Sequence, residues 1–578
     1  MRTVHARWIG GILSSMLLAT PAGIAGKVPP LRVAYFTPSD REPIPGYVER
    51  IDRCMTEVQR FYREGMIAAG YGPLTFELER DDAGRLKVFN VAGKHPMETY
   101  GRDSSGDVRD EVKAALTPRG IDIDQETIVI FQVLLRWDGD KAEEVGSYVG
   151  GGGHLSGTAW VYDDAKLDPR KLDSKEPGGF YGRPCSIGEF NSHYLGGIAH
   201  ELGHALGLPH DAQQSADNDR GESLMSGGNH TYGNNLRGEG AGTFLTAASA
   251  MPLKTIRVVA GDLKDAHKDP NCKLRELDAR FQDGKIILIG ALDAEPAAYG
   301  VVAYNDPAEP EADYEAIGWI DQIDADGRFK LAIGELQPGQ EYQLRLRVCH
   351  VNGGSTWFPF DYHVAESGQP DIDVFRYSVP LDQAVDAYAA GERARMEKLS
   401  RELERRFNSM PTVCAKAAHL RTLLDSPAPR SLAEVPDSSH SVSVSTLAFA
   451  EESVGWGRPL RDQVLIEPPG QCFLSVDGQF YREGLFAHAP ARHVLDLGGR
   501  WRRFRSRLGI QDGHWGTVVF VVRGDGRELF RSDLVNAGEL AEANVSVADL
   551  DRLELIVEDG GDGPGNDWGI WVEPRLER

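Results

Sequence analysis

Hydrophobic residues recur every three to four positions in one early segment of the chain. This spacing predicts an amphipathic helix with one apolar side, formed by Ile51, Met55, Val58, Phe61 and Met66. The runs LRVAYF, LTFELER, RLKVFNV and ETIVIFQVLLRW are rich in β-branched and aromatic residues, so they predict strands. Residues 31–252 are therefore predicted to form an α+β domain.

The pattern changes to short alternating strands and turns over residues 253–375. Runs such as KIILIGAL, RFKLAIGEL and EYQLRLRVCHV are separated by turn signals such as Asp326-Gly327. The stretch LQPGQEY, which ends at Tyr342, resembles the tyrosine corner of fibronectin type III and related sandwiches. This segment is predicted to be an all-β, immunoglobulin-like sandwich that acts as a spacer.

Helical spacing returns over residues 379–428. Pro380 is expected to open a helix in which Met396, Leu399, Leu403 and Phe407 repeat. A helical hairpin between domains is the preferred interpretation, and a partner-binding coiled coil is the alternative. The last segment, 440–578, is again rich in β patterns, with Phe504, Leu508 and Ile510 facing inward between outward arginines.

Length and charge limit the possible functions. A chain of 578 residues predicts about three to four domains. The net charge of −24 argues against nucleic acid as a partner, because phosphate binding needs a basic surface.

The N-terminal residues 1–25 have the pattern of a secretory signal peptide. Arg2 and Arg7 precede an apolar run from Trp8 to Ala19, and small residues follow. An uncleaved anchor is the alternative, although the run is short for a membrane span. We expect a secreted, periplasmic or cell-surface protein with no membrane span after cleavage.

Export permits disulfides among the six cysteines. Cys54–Cys185 and Cys272–Cys349 bridges are compatible with the predicted domains, and free thiols are equally compatible.

The stretch GGIAHELGHALGLPHD carries the candidate chemistry. A helix from Ser192 to Leu206 would place His200 and His204 one turn apart on one face, where both can bind one Zn²⁺. Gly207 can end the helix, so that the chain turns and brings in His210 as a third ligand. Three protein ligands leave a fourth position for water, which is typical of a catalytic zinc site. A core helix with buried histidines and a structural zinc site are the alternatives.

The stretch matches HExxHxxGxxH and resembles the zinc signature of the metzincin metalloproteases. The resemblance implies an α+β metzincin-like catalytic domain with Glu201 as the general base and Met225 as the methionine-turn floor. Some metzincins place a stabilising tyrosine two residues after that methionine, but here the position is Gly227. Tyr232 and His230 are nearby substitutes.

Metzincins also use a glycine-rich edge strand to pair with extended substrate. The resemblance implies such a strand around residues 156–161. A mobile surface loop is the alternative.

The C-terminal segment resembles the NPCBM/NEW2 family of carbohydrate-binding modules. The resemblance rests on VGWGRPL, GLFAHAP, GIQDGHWGTVVFVVRGDGRELF and VEDGGDGPGNDWGIW. It implies an all-β, galactose-binding-like jelly roll over 440–578, with His488, Trp515, Asp567 and Trp568 as candidate sugar-binding residues. Asp559, Asp562 and Asp567 could hold Ca²⁺ through oxygen ligands.

Together these features predict a secreted, multidomain zinc endopeptidase directed to glycoproteins or glycan surfaces. In this mechanism a zinc-activated water attacks the peptide bond and Glu201 takes its proton. One alternative is a zinc amidase acting on peptidoglycan or an N-acetyl group. The other is a carbohydrate-binding adhesion protein with a vestigial site. The sequence does not identify the donor that stabilises the oxyanion.

Overall fold

The computed structural model describes residues 30–308, 312–465 and 472–578. The signal peptide predicted at residues 1–25 lies outside the described residues. In the part that is described, every helix is too short or too polar to cross a membrane. The prediction of a multidomain, mostly β chain is confirmed in these coarse terms.

The chain divides into two compact units. Among the described residues, the first unit contains residues 30–271, 295–308, 312–322 and 346–357. The second contains residues 272–294, 323–345, 358–465 and 472–578. Part of the segment predicted as a spacer therefore belongs to the same unit as the histidine helix.

The first segment of the chain mixes helices and strands as its periodicity predicts. Its elements, in chain order, are β1 (Arg32–Thr37), α1 (Tyr47–Ala68), β2 (Val88–Ala92), α2 (Ser105–Leu116), β3 (Thr127–Gln132), β4 (Leu135–Asp138), β5 (Lys141–Glu144), β6 (Val149–Gly152), β7 (Gly157–Tyr162), β8 (Pro177–Tyr181), β9 (Arg183–Ser186), α3 (Ile187–Ala205), β10 (Glu222–Ser223), α4 (Gly228–Thr231), α5 (Asn234–Arg237), β11 (Thr243–Phe244), α6 (Ala247–Leu253) and α7 (Arg257–Ala260).

A five-stranded sheet forms the centre of this segment, in the order β2-β1-β3-β7-β6. The first four strands are parallel, and β6 runs antiparallel to β7 at one edge. Every residue of β3 is buried, as expected for a parallel strand covered on both faces. The run LTFELER, predicted as a strand, contributes only isolated bridges at Leu78 and Arg80.

Helix α3 starts earlier than the sequence pattern indicates. Ser186 caps it, and Glu189 completes a capping box with Ser186. The predicted cap, Ser192, is instead buried inside the helix, where its hydroxyl bonds to the Tyr232 carbonyl. The prediction missed the capping box because the first turns of α3 are buried nearly all round and so lack an amphipathic pattern.

The next segment forms two sheets. Its elements are β12 (Asn271–Gln282), β13 (Lys285–Glu295), β14 (Ala298–Pro307), β15 (Ile317–Gln322), β16 (Arg328–Ile333), β17 (Glu341–His350) and β18 (Ser355–His363). The sheet orders are β12-β13-β16 and β15-β14-β17-β18. The expected tyrosine corner is present, since the Tyr342 hydroxyl accepts a hydrogen bond of 2.9 Å from the Gln337 amide.

Three helices follow, where a hairpin was predicted: α8 (Asp373–Ala389), α9 (Arg393–Arg406) and α10 (Pro411–Leu424). Pro380 was expected to open the first helix, but it lies inside α8. The proline lacks the amide for one helical hydrogen bond. The helix nevertheless continues through it, because Phe375, Val379 and Leu381 on both sides of the proline are buried.

The C-terminal segment is built from two antiparallel sheets. Its strands are β19 (Ser441–Ser443), β20 (Glu451–Ser453), β21 (Leu460–Arg461), β22 (Leu474–Val476), β23 (Gln479–Tyr481), β24 (Gly484–His488), β25 (Ala491–Asp496), β26 (Arg503–Ile510), β27 (Thr517–Gly524), β28 (Arg527–Arg531), β29 (Val535–Asn536), β30 (Ala541–Ser546), β31 (Arg552–Asp559) and β32 (Trp568–Glu577).

The main sheet orders in this segment are β21-β24-β32-β26-β30 and β20-β25-β31-β27-β28. Trp501, Trp571 and Phe504 belong to one buried cluster with residues from both sheets. The predicted alternation in β26 is confirmed, with apolar residues inward and arginines outward.

All six cysteines lie within the described residues, and none is disulfide-bonded. The Cys54–Cys185 and Cys272–Cys349 bridges are therefore not present in the structure.

Glycine at position 150 is required by the close approach of β6 to α3. A Cβ at Gly150 would lie 1.9 Å from the Glu201 carbonyl oxygen, a main-chain atom that cannot rotate away. A Cβ at Gly151, on the same strand, would have no neighbour within 4 Å. The glycine run therefore lets an edge strand lie directly on the helix that carries the histidines.

We expect Gly150→Ala to destabilise the protein and Gly151→Ala to leave its stability nearly unchanged. Overpacking of this kind costs about 1–3 kcal/mol. Thermal unfolding of the two variants beside wild type measures the difference. Equal melting temperatures for the two variants would contradict the packing described here.

Candidate functional site

His200, His204 and His210 converge in the first unit. The Nε2 atom of His204 lies 3.1 Å from the Nε2 atoms of both His200 and His210. Gly207 has a φ of 78° and follows the end of α3, as predicted, so the chain reverses before His210. A tetrahedral Zn²⁺ with bonds of about 2.0–2.1 Å places its nitrogen ligands roughly 3.3 Å apart, so the donor set fits such an ion.

Main-chain carbonyls orient two of the three imidazoles. The Nδ1 atom of His200 lies 2.6 Å from the Leu224 oxygen, and that of His204 lies 2.9 Å from the Leu208 oxygen. Such contacts fix the ring nitrogen that keeps its proton and leave Nε2 for a ligand. Burial lowers the pKa of His200 to about 4, helped by the neighbouring His210. This imidazole is therefore neutral at physiological pH, as metal binding requires.

Glu201 lies beside the histidines in an open cleft. The cleft has a volume of about 410 Å³ and is lined by Tyr181, His200, Glu201, Glu222, Ser226, Gly227, Asn229, His230, Tyr314 and Glu315. Burial raises the pKa of Glu201 to about 8, and a hydrogen bond from the Gly150 amide opposes the rise. Glu201 lines the cleft and is not a member of the histidine cluster that could hold a metal ion.

Met225 lies under the histidine helix. Its side chain is fully buried, and its sulfur would be 2.4 Å from a Cβ placed at Gly203, between His200 and His204. Asp211, the residue after His210, links this part of the chain to Thr246 and Ser249, whose hydroxyls donate hydrogen bonds to its carboxylate. Thr246 caps α6.

The two substitutes proposed for the missing tyrosine lie in different places. Tyr232 is buried, and its hydroxyl donates to Glu57 on α1 at 2.9 Å, so it does not face the cleft. His230 lines the cleft. A Cβ at Gly227 would lie 2.2 Å from the Glu222 carboxylate, which occupies the space that a side chain there would need.

The strand expected to pair with substrate is not at the edge of the sheet but next to the edge strand. Residues 157–162 form β7, which is paired on both sides, by β3 and β6. The edge of the sheet is β6, Val149–Gly152. The glycine run, rather than the residues after it, forms the edge beside Glu201.

Three aromatic side chains form a stack beside this cleft, which Tyr181 and His230 line. Tyr181, 39% exposed, stacks on His193 with ring centroids 3.3 Å apart. His193 in turn stacks on His230 at 5.2 Å. We name Tyr181, His193 and His230 the cleft platform. No local motif marks these residues, because they come from three separate elements, β8, α3 and α4.

Tyr314 was also missed. Its ring stacks on His210 with centroids 3.7 Å apart, although it lies more than a hundred residues later in the chain. Only the folding of residues 312–322 into the first unit brings it there.

The C-terminal segment has its own aromatic group, at one edge of its sheets. Trp456 is 48% exposed and lies 5.5 Å from the Trp568 ring and 6.0 Å from the His488 ring. His514 stacks on Trp568 at 3.8 Å. Trp515 is 56% exposed. Of the four residues expected to bind sugar, Trp515 is thus the exposed one, whereas His488 and Trp568 are buried.

Asp567 is fully buried and serves the fold. One carboxylate oxygen accepts from the Thr517 amide at 3.1 Å, and the other has no hydrogen-bond partner among the described residues. Burial, together with the nearby Asp562 and Asp559, raises its pKa to about 7, and the hydrogen bond from the Thr517 amide opposes the rise. Because it is enclosed, Asp567 cannot contact a sugar at the surface.

Asp559, Asp562 and Asp567, expected as possible calcium ligands, are not brought within ligand spacing of one another. Within the described residues, these three carboxyl groups are not a cluster of metal-ligand distances, whereas the three histidines are. Asp559 accepts a hydrogen bond from the Gly561 amide, and Asp562 accepts one from the Thr517 hydroxyl.

A comparison with protein families agrees with the description of the C-terminal segment. Residues 440–577 match the NPCBM/NEW2 domain family. This C-terminal segment is therefore an NPCBM/NEW2 domain, as its motifs predicted. No curated protein matches the chain.

The chain is similar to two solved structures to different extents. Catalytically inactive OgpA from Akkermansia muciniphila, in complex with an O-glycopeptide substrate, is similar over 60% of this chain and 96% of that chain. The identity is 22% and the TM-score 0.50, a likeness of fold. CBM51 from Clostridium perfringens GH95, in complex with methyl-galactose, covers 24% of this chain and 99% of that chain at 26% identity and a TM-score of 0.21.

The buried Asp567 makes the stability of the NPCBM/NEW2 domain depend on pH. Its pKa is about 7 in the folded state, against about 3.9 in an unfolded chain. The contribution of Asp567 to the free energy of unfolding is fully present below pH 4 and is lost as the pH rises through 7. The loss is at most about 1.4 kcal/mol per pH unit. We expect Asp567→Asn to keep the bond from Thr517 and to become more stable relative to wild type between pH 5 and pH 8. Urea unfolding of both proteins across this range measures the effect, and a constant difference would refute it.

Proposed function

We propose that the chain is a secreted zinc-dependent endopeptidase that cleaves glycosylated proteins. The observation that carries the proposal is the convergence of three histidines beside Glu201 in an open cleft, with the His204 Nε2 atom 3.1 Å from the Nε2 atoms of His200 and His210. His200, His204 and His210 would hold the ion, which supplies an activated water and polarises the scissile carbonyl. Met225 keeps the helix that carries two of these ligands in place from below.

Glu201 is the proton carrier in this proposal. Its carboxylate accepts the proton of the attacking water and delivers it to the nitrogen of the leaving amine. The Gly150 amide, which is hydrogen-bonded to this carboxylate, fixes its direction. Edge strand and general base are therefore held together.

The edge strand β6 supports the binding of an extended peptide. As the terminal strand of its sheet, β6 has main-chain groups on its outer side that a substrate strand can pair with. Pairing of this kind does not select side chains, so selectivity must come from the cleft.

The cleft platform supports a sugar near the scissile bond. Aromatic faces stack on sugar rings, and the neighbouring Glu222 and Asn229 offer groups that can bind hydroxyls. The OgpA fold, to which this chain is similar, holds an O-glycopeptide in its solved complex. A C-terminal NPCBM/NEW2 domain adds a second sugar-binding element and raises the local concentration of glycosylated substrate.

We expect Glu201→Gln to retain one zinc per chain and to lose peptide cleavage by at least about 100-fold, since it removes the proton acceptor. His204→Ala should lose the zinc itself, because only two of the three protein ligands remain. Metal analysis and cleavage of a glycoprotein mixture, with both variants beside wild type, measure these effects.

The alternatives give different results in the same experiment. A wild type that holds zinc and releases acetate or muropeptide amines, while it leaves every protein intact, would be an amidase on a non-protein substrate. A wild type that holds no zinc would be an adhesion protein. Either result would exclude the endopeptidase.

The cleft platform gives a prediction on substrate class. We expect Tyr181→Ala to raise KM about tenfold for an O-glycosylated peptide, the loss of about 1.4 kcal/mol of stacking. Ile67→Ala, at another exposed residue, on α1, is the control and should change neither substrate's KM. Steady-state kinetics on one peptide with and without its sugar test this. An equal rise in KM for the bare peptide would show that Tyr181 binds peptide rather than sugar.

A further inference from the structure

Tyr314 lies over the histidine cluster from outside the histidine-bearing segment. Its ring stacks on His210 at 3.7 Å, with an interplanar angle of 28°, and is nearly parallel to His200 at 6.2 Å. The side chain is 49% exposed and lines the cleft together with Glu201. A substrate that reaches Glu201 therefore also reaches Tyr314.

Several hydrogen bonds hold the Tyr314 segment in place. The Ser226 hydroxyl, next to Met225, donates to the Tyr314 carbonyl at 2.9 Å. The Ala212 amide, two residues after His210, donates to the Ala316 carbonyl at 2.6 Å. The Gln214 side chain donates to the Gly318 carbonyl at 2.7 Å. The segment is thus fastened to the chain on both sides of the methionine turn.

The cleft needs a donor that the methionine turn does not supply. Attack on a peptide carbonyl creates a negatively charged oxygen. A hydrogen-bond donor held near this oxygen accelerates the reaction, because the hydrogen bond becomes stronger as the charge develops. Gly227 has no side chain, and the space beside it holds the Glu222 carboxylate, which accepts hydrogen bonds when ionised. Tyr232 is bonded to Glu57.

We propose that the Tyr314 hydroxyl donates a hydrogen bond to the scissile carbonyl oxygen as that oxygen becomes negatively charged. The inference rests on the proposed peptidase function. No covalent bond of Tyr314 forms or breaks, and the hydroxyl proton stays on the phenol. The proton of the attacking water still moves to Glu201 and then to the leaving amine. Tyr314 is therefore a catalytic residue contributed by the segment between β14 and β15.

Tyr314→Phe tests the hydroxyl alone, because it keeps the ring on His210. We expect kcat to fall about 100-fold, the usual effect of removing one oxyanion donor, with KM within about threefold of wild type. Zinc content should be unchanged. A phosphinic peptide, whose tetrahedral phosphorus mimics the intermediate, should bind more weakly by a similar factor in calorimetry, while an uncleaved ground-state peptide should bind as in wild type.

Three further proteins make the result decisive. Tyr47→Phe removes a hydroxyl that bonds to Asn90 outside the cleft and should behave as wild type. Tyr314→Ala also removes the ring, so it should additionally weaken zinc binding in a chelator competition. Glu201→Gln reports on the proposed function itself.

The possible failures are distinguishable. If wild type cleaves and Tyr314→Phe has the same kcat and the same phosphinic affinity, the role of Tyr314 is overturned and the peptidase stands. A lower kcat with unchanged phosphinic affinity would equally overturn it, because the loss would then arise outside the intermediate. If wild type cleaves no peptide, the proposed function fails and the role of Tyr314 fails with it.

Discussion

The contact between helix α3 and strand β6 is the constraint on which the candidate site depends. The Glu201 carbonyl lies so close to Gly150 that no side chain fits between them. This approach puts the edge of the sheet, the Gly150 amide and the Glu201 carboxyl at one place. A bulkier residue in the strand would move the edge away from the carboxyl group, so the glycine run is a requirement of the site rather than a flexible loop.

The same helix is fixed from its other side by main-chain carbonyls and by sulfur. Leu224 and Leu208 hold the Nδ1 atoms of two histidines, and Met225 fills the space at Gly203. The imidazoles are therefore oriented by backbone that follows them in the chain. The low pKa of His200 is a consequence of the same enclosure, because burial opposes the charged form.

Local patterns predicted those parts of the structure that depend on local interactions. Helical spacing placed His200 next to His204, and the Gly207 position gave the turn to His210. The sequence did not reveal that α3 starts at a capping box on Ser186, because buried residues surround its first turns. It also placed Asp567 at a sugar site, although the carboxyl group is enclosed. Burial is set by tertiary packing, and alternation along one strand does not distinguish an enclosed residue from an exposed one.

Tyr314 shows the limit of such reasoning most clearly, since its place depends on contacts across more than a hundred residues. Strands β14 and β15 pack on α6, where Tyr299 and Tyr304 bond to the Met251 and Ala248 carbonyls. A fragment that ended at residue 252 would keep the three histidines and Glu201, yet it would lose the phenol over His210. The histidine motif therefore defines where an ion can bind, whereas the cleft around it is completed by a segment that sequence patterns assign to a separate sandwich.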